Sequence, residues 1–183
     1  GGVVQASAAI VEGMTFTPDG ATLLLGMRNP LCRVSAILVV VRGVAEAFDS
    51  GNPTRMQVED MFALDLGGRG ISDLCWDPVT KGYLIAAARS NGPRLNEDQP
   101  FPLNALDSAL FWWSGRKTEK AVLFADLPDM TVEAVCRLGS TDYIAVGTDE
   151  GDVSEGRVRQ QQSMVSIIHF TGLEPTGSGE RTP

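Results

Sequence analysis

A strand–turn–strand unit occurs three times in this chain at nearly constant spacing, and that repeat restricts the fold more than any other feature. Val11-Glu12-Gly13-Met14-Thr15-Phe16 aligns with Ile71-Ser72-Asp73-Leu74-Cys75-Trp76 at an offset of 60 residues, and Val132-Glu133-Ala134-Val135-Cys136-Arg137 follows at 61. Each run enters a turn: Thr17-Pro18-Asp19-Gly20, Asp77-Pro78-Val79-Thr80-Lys81-Gly82 and Gly139-Ser140-Thr141-Asp142. Proline presets φ and glycine supplies φ > 0, so these read as hairpin connections. The returning strands are Leu23-Leu24-Leu25-Gly26, Tyr83-Leu84-Ile85-Ala86 and Tyr143-Ile144-Ala145-Val146. The single-residue difference between the copies is expected in the turn, where length changes are cheap. The middle copy opens on residues 65–78, DLGGRGISDLCWDP, where Gly67, Gly68 and Gly70 bracket Arg69.

Each copy continues into a third strand, at residues 36–41, 109–113 and 164–170, and the first two add a fourth at 61–66 and 121–127. Residues 3–6 suit an outer strand, and 44–49 and 104–108 one short turn of helix each. Four short strands repeated about every 60 residues describe β-propeller blades with long loops. The predicted fold is therefore all-β: three blades near 10–66, 71–127 and 132–170 within a domain spanning 1–172, and a disordered tail at 173–183. Closed propellers take about four to eight blades, so three make roughly half of one. A complementary chain, another segment or a second copy would complete it. A β-sandwich built from the same strands is the alternative, and the repeat argues against it.

Composition narrows the partners. The 183 residues are 43% hydrophobic and 21% charged, as in an ordinary globular protein. The net charge is −8 and the pI about 4.6. This disfavours nucleic acid, whose binding needs a basic stripe, and disfavours docking on anionic lipid. No apolar run approaches the ~20 residues of a membrane span. Gly1-Gly2 begins the chain without an initiator Met or a charged signal region, which suggests a start inside a longer gene product. Cys32, Cys75 and Cys136 form no CxxC or Cys/His cluster, and the lone His169 is remote from them. Cys75 and Cys136 share a repeat position, so they read as small buried apolar side chains.

Glu12-Gly13-Met14, Thr17-Pro18-Asp19-Gly20 and the run from Leu24 to Leu31 resemble an uncharacterised, mainly bacterial family of β-propeller proteins, a domain of unknown function. So do Asp65-Leu66-Gly67-Gly68-Arg69-Gly70-Ile71-Ser72-Asp73-Leu74 and Gly82-Tyr83-Leu84-Ile85. The match covers about residues 10–150. The family pattern has a basic residue where Ser72 stands. The resemblance implies a propeller, a protein longer than this one and no assigned activity. More distantly, Glu12-Gly13 at the head of an inner strand is similar to phytase-like and gluconolactonase-like propellers. In the latter, such a Glu ligates a divalent metal in the central channel, which is fold-level analogy here.

In a propeller the first strand of each blade lines the channel, and the loops at one end of those strands surround the ligand. The repeat places Glu12, Ser72 and Glu133 at one equivalent position, with Gly13, Asp73 and Ala134 beside them. Arg28, Asn29, Arg69, Arg89 and Asp149 fall on loops of the same face. The candidate ligand-binding residues are thus Glu12, Arg28, Arg69, Asp73, Arg89 and Glu133. Glu12, Asp73 and Glu133 could converge on Ca²⁺ or Mg²⁺, which prefer oxygen ligands. Such an ion would polarise a phosphoryl or lactone oxygen and activate water, while the arginines clamp an anionic group. The plainer alternative is structural: blade-start carboxylates bond to backbone N–H groups, and Arg69 bridges blades.

Other features read as structural. Asp149-Glu150-Gly151-Asp152 reads as a solvated acidic loop, because the ligand spacing of a calcium loop is missing. Trp76, Trp112 and Trp113 read as packing between blades. Residues 91–102, with three prolines, read as a long loop that either covers the face as a lid or hangs in solvent. No nucleophile elbow, Walker loop or Rossmann fingerprint occurs. Two functions follow: a binding or scaffold propeller, and a metal-assisted hydrolase of a phosphoester or lactone.

Overall fold

The computed structural model describes residues 9–90, 94–95, 107–153 and 160–173. The first sheet contains β1 (Ile10–Phe16), β2 (Thr22–Asn29), β4 (Ala36–Arg42) and β5 (Gln57–Leu64), all antiparallel in the order β1-β2-β4-β5. The short β3 (Leu31–Cys32) lies between β2 and β4, and the helix α1 (Val44–Ser50) between β4 and β5. The second sheet repeats this plan with β6 (Gly70–Asp77), β7 (Gly82–Ala88), β9 (Ser108–Trp113) and β10 (Val122–Leu127). The third holds β11 (Val132–Arg137), β12 (Tyr143–Val153) and β13 (Gln160–His169). The protein is all-β, built from three sequential antiparallel sheets. One pairing joins two units: β3 runs parallel to β8 (Arg94–Leu95), through Leu31 with Arg94 and Cys32 with Leu95.

The register verifies the repeat at single-residue level. Phe16 pairs with Leu23, Trp76 with Tyr83 and Arg137 with Ile144, so six residues separate the partners in every hairpin. The expected length change in the turn is therefore corrected. The offset is 61 on both sides of the third hairpin, and the extra residue lies between β7 and β11. The same irregularity recurs in all three first strands. Glu12, Ser72 and Glu133 are each the unpaired residue of a β-bulge, flanked by the pairs Val11–Met27 and Gly13–Gly26, Ile71–Ala87 and Asp73–Ala86, and Val132–Thr148 and Ala134–Gly147. A bulge bends its strand and re-aims a side chain.

Strand alternation explains how the sheets pack. Along β7, Tyr83, Ile85 and Ala87 join Leu24, Leu38 and Leu64 of the first sheet and Leu31 of β3 in one core, with Phe111 and Trp113 of β9. Leu84 and Ala86 face the other way, with Leu110, and meet Val132, Val135, Ile144 and Val146 of the third sheet. The second sheet is thus covered on both faces, which is why every residue of β7 is buried. The contact is close at its inner edge. Ile71 occupies the space above Gly13 and Gly26, where an added Cβ would stand 2.6 and 2.5 Å from its Cγ2. Trp113 reaches Phe62 of β5 with ring centroids 5.7 Å apart, in keeping with inter-sheet packing by the tryptophans.

Several expectations change. The fourth strand of the first sheet begins at Gln57, four residues early, because the backbone is already extended at Met56, after the 3₁₀ turn Pro53–Arg55. Residues 149–152 are not a loop: β12 continues through them to Val153, with an irregularity between the pairs Asp149–Ser163 and Asp152–Gln161. Ser108 is the first residue of a strand rather than of a helical turn. Leu173 packs against the second core instead of opening a loose tail. Cys136 is exposed, unlike the half-buried Cys32 and Cys75, because no sheet covers its side of β11. The strand expected at 3–6, residues 104–106 of the expected helical turn and the tail from 174 lie outside the described residues, as does the loop at 91–102 apart from β8.

Candidate functional site

The bulges bring part of the predicted constellation together, around the guanidinium of Arg28. Arg28 is itself an irregular residue, unpaired on β2 between the pairs Val11–Met27 and Ile10–Asn29. Gly70 at the head of β6 lies directly on its backbone: a Cβ there would stand 2.2 Å from the Arg28 carbonyl oxygen, so only glycine permits the approach. The Arg28 Nε donates to the carbonyl of Arg89 at 2.7 Å. Its Nη1 donates to Glu12 Oε2 at 2.7 Å and lies 3.7 Å from Glu133 Oε2. One guanidinium on the first sheet thereby spans the bulge carboxylates of the first and third.

Electrostatics follow from this geometry. The Arg28 side chain is 11% exposed, against 33% for Glu12 and 37% for Glu133. Burial pushes the Glu133 carboxyl above the usual glutamate range; Arg28 opposes the rise, and the charges of Glu12 and Asp149 add to it. Among the described residues, the charges acting on Glu133 are thus the carboxylates of Glu12 and Asp149 and the one guanidinium of Arg28, so negative charge is in excess there. Ser72, at the third equivalent position, is buried and donates to the Ala86 carbonyl at 3.2 Å. It is short and neutral, and it is turned back into its own sheet.

The remaining candidates stand elsewhere. Asp73 accepts from the backbone N–H of Val135 at 2.8 Å and of Leu74 at 2.8 Å, which ties β6 to β11. Burial raises its carboxyl above the ordinary value, and those two N–H groups oppose the rise. This is the structural role that blade-start carboxylates were expected to play as the plainer alternative. Arg69 is 2% exposed; Nε donates to the Asp107 carbonyl at 2.7 Å, and Nη2 lies 3.5 Å from Asp126 Oδ1. It braces the second sheet from within. Arg89 contributes its carbonyl, and its side chain is exposed.

Asp73 thus does not join Glu12 and Glu133, and among the described residues no group of three His, Cys, Asp or Glu side chains is arranged to hold a metal. A solvent-open hollow of about 750 Å³ lies under α1, lined by Arg42, Glu46, Asp49, Asn52 and Arg55, well away from Arg28. His169 packs edge-on against Tyr143, with centroids 5.3 Å apart. No helix among the described residues is long and apolar enough to cross a membrane.

Polar ties between sheets also escaped the sequence reading. Arg137 of β11 forms a buried ion pair with Asp77 at the end of β6 and also donates to the Phe170 carbonyl at 2.6 Å. Its repeat equivalents are Phe16 and Trp76, so a charge in an aromatic position was the available signal. Ser90 hydrogen-bonds Asn29 across the first two sheets. No protein-family model matches the chain, and no curated protein matches it.

Proposed function

We propose that the three sheets are consecutive blades of a β-propeller completed by strands outside this polypeptide, and that the module binds a ligand at the bulged ends of its first strands. One observation carries the reading: Glu12, Ser72 and Glu133 are the same bulge in three adjacent sheets, and Arg28 bridges the two carboxylates. The charge at the mouth favours a ligand that offers an amine or guanidinium. Binding is preferred to catalysis because a guanidinium occupies the position an activating cation would need, and because Asp73 is engaged by backbone N–H groups.

The second reading, a metal-assisted phosphoester or lactone hydrolase, keeps one favourable observation, the convergence of Glu12 and Glu133. Calorimetric titration with Ca²⁺ and Mg²⁺ divides the two. The binding module takes up no stoichiometric ion. Stoichiometric uptake that disappears in Glu12→Gln would overturn it in favour of the hydrolase. As a positive test, small diamines and guanidines should raise the melting temperature of the wild type more than that of a Glu12→Gln, Glu133→Gln double variant.

A further inference from the structure

The two ends of the stack expose the two halves of one interface. In the second and third sheets, Ile71, Leu74, Val132 and Val135 are 0–2% exposed, because each first strand packs on the preceding sheet. Their equivalents in the first sheet are Val11 and Met14, which are 45% and 62% exposed. The receiving side shows the converse. Leu38 and Leu110, paired with Gly26 and Ala86, are fully buried beneath the following sheet. Their equivalent in the third sheet is Val165, paired with Gly147 and 70% exposed, and Ile167 beside it is 56% exposed. The notch that Ile71 fills over Gly13 and Gly26 recurs over Ala134 and Gly147, and there, among the described residues, the one atom within 4 Å of an added Gly147 Cβ is Ala134 Cβ.

We propose that these faces close on each other in a second copy of this chain, Val11 and Met14 of each copy packing on Gly147, Val165 and Ile167 of its partner, to give a ring of six sheets. This rests on the propeller reading above. The occupant is a second copy because knob and notch both belong to this polypeptide, and because the contact continues the packing already made twice within it. Polar complementarity agrees. Between the second and third sheets Arg137 meets Asp77. The equivalents at the open ends are Phe16 and Leu138, 44% and 37% exposed, an apolar pair. Two identical head-to-tail contacts satisfy closed two-fold symmetry.

The test is mass by light scattering on the whole chain, with circular dichroism to verify folding. Wild type should run as a dimer, twice 19.5 kDa or about 39 kDa. Val11→Glu and Val165→Lys should each be monomeric, since either change spoils both contacts. An equimolar mixture should recover a dimer, because one contact is then wild type and the other sets Glu against Lys. A second measurement avoids core changes. Cys75 lies against the backbone N–H of Arg137, so the equivalent Cys136 should lie against Phe16 of the partner, and Phe16→Cys should cross-link to Cys136 on oxidation. A monomeric wild type would overturn the second copy and leave the binding module standing, completed by other strands. A dimer that survives in either single variant, or assembly beyond two chains, would overturn it as well.

Discussion

The Arg137 Nε donates to Asp77 Oδ1 at 2.9 Å, joining the third sheet to the second where both residues are buried, 8% and 0% exposed. Thr80 and the Val79 N–H also bond to Asp77, so its remaining lone pairs are satisfied. Breaking a buried pair from one side leaves an uncompensated charge, at a cost of about 3–5 kcal/mol. Arg137→Met and Asp77→Asn should each lower the free energy of unfolding by about that much. The double variant should lose distinctly less than the sum. Urea unfolding of the four proteins measures the coupling; additive losses would show that the pair contributes nothing.

The same pair gives stability an acid limb. Burial alone would raise the Asp77 carboxyl, but hydrogen bonds from Arg137, Thr80 and the Val79 N–H outweigh it and hold the group below the ordinary value of 3.8. A carboxyl depressed on folding contributes stability above its unfolded pKa, and that contribution is lost as pH falls through the folded value. Unfolding midpoints should therefore drop as pH falls below about 3.8, the unfolded value. The slope should be shallower in Asp77→Asn, and equal slopes would be the contrary result.

Ile71 and the glycines beneath it set the spacing of the first two sheets. A methyl group on Gly26 would lie 2.5 Å from Ile71 Cγ2 and 3.0 Å from its Cβ. Overpacking of this kind costs about 1–3 kcal/mol. Gly26→Ala should destabilise by that amount, and adding Ile71→Ala, which removes the clashing Cγ2, should cost less than Ile71→Ala does in the wild-type background. Thermal unfolding of the three variants tests it; independent effects would mean that the sheets separate freely.

How far the sequence went follows from what a repeat encodes. Hydrophobic alternation and turn chemistry placed the strands, and the offsets of 60 and 61 put Glu12, Ser72 and Glu133 at one position. The bulge there was not legible, since it depends on pairing register across two strands. Arg28 was expected on a loop; it lies in β2, and its guanidinium pairs with Glu12. Its side chain reaches Glu133 from a residue 105 positions earlier (133 − 28 = 105), and spacing along a chain says nothing about such a reach. Asp73 was grouped with the acids because it neighbours Ser72, but it follows the bulge, back in register with Ala86, and its carboxylate accepts from the Val135 N–H of the third sheet. Arg137 went unnoticed because pattern reading treats its position as aromatic, while the acceptor Asp77 looked like an ordinary turn residue.

Around Arg28 the geometry makes two opposite demands on one titration. Arg28 holds the Glu133 carboxyl down against burial, whereas the charge of Glu12 pushes it up. Replacing the guanidinium in Arg28→Met should move the Glu133 pKa further above its wild-type value. Glu12→Gln should move it down, both by removing a like charge and by freeing Arg28 to turn wholly toward Glu133. Carboxyl NMR titration reads both shifts directly. The stability consequence has a definite sign: a carboxyl raised on folding favours the folded state below its unfolded pKa, and that advantage is lost as pH rises through the folded value. Arg28→Met should therefore weaken most on the neutral side, and protonation near the Glu133 pKa should restore part of the loss. Movement of Glu133 in the same direction in both variants would mean that the two carboxylates do not share the arginine, and with it would go the bridge between the first and third sheets.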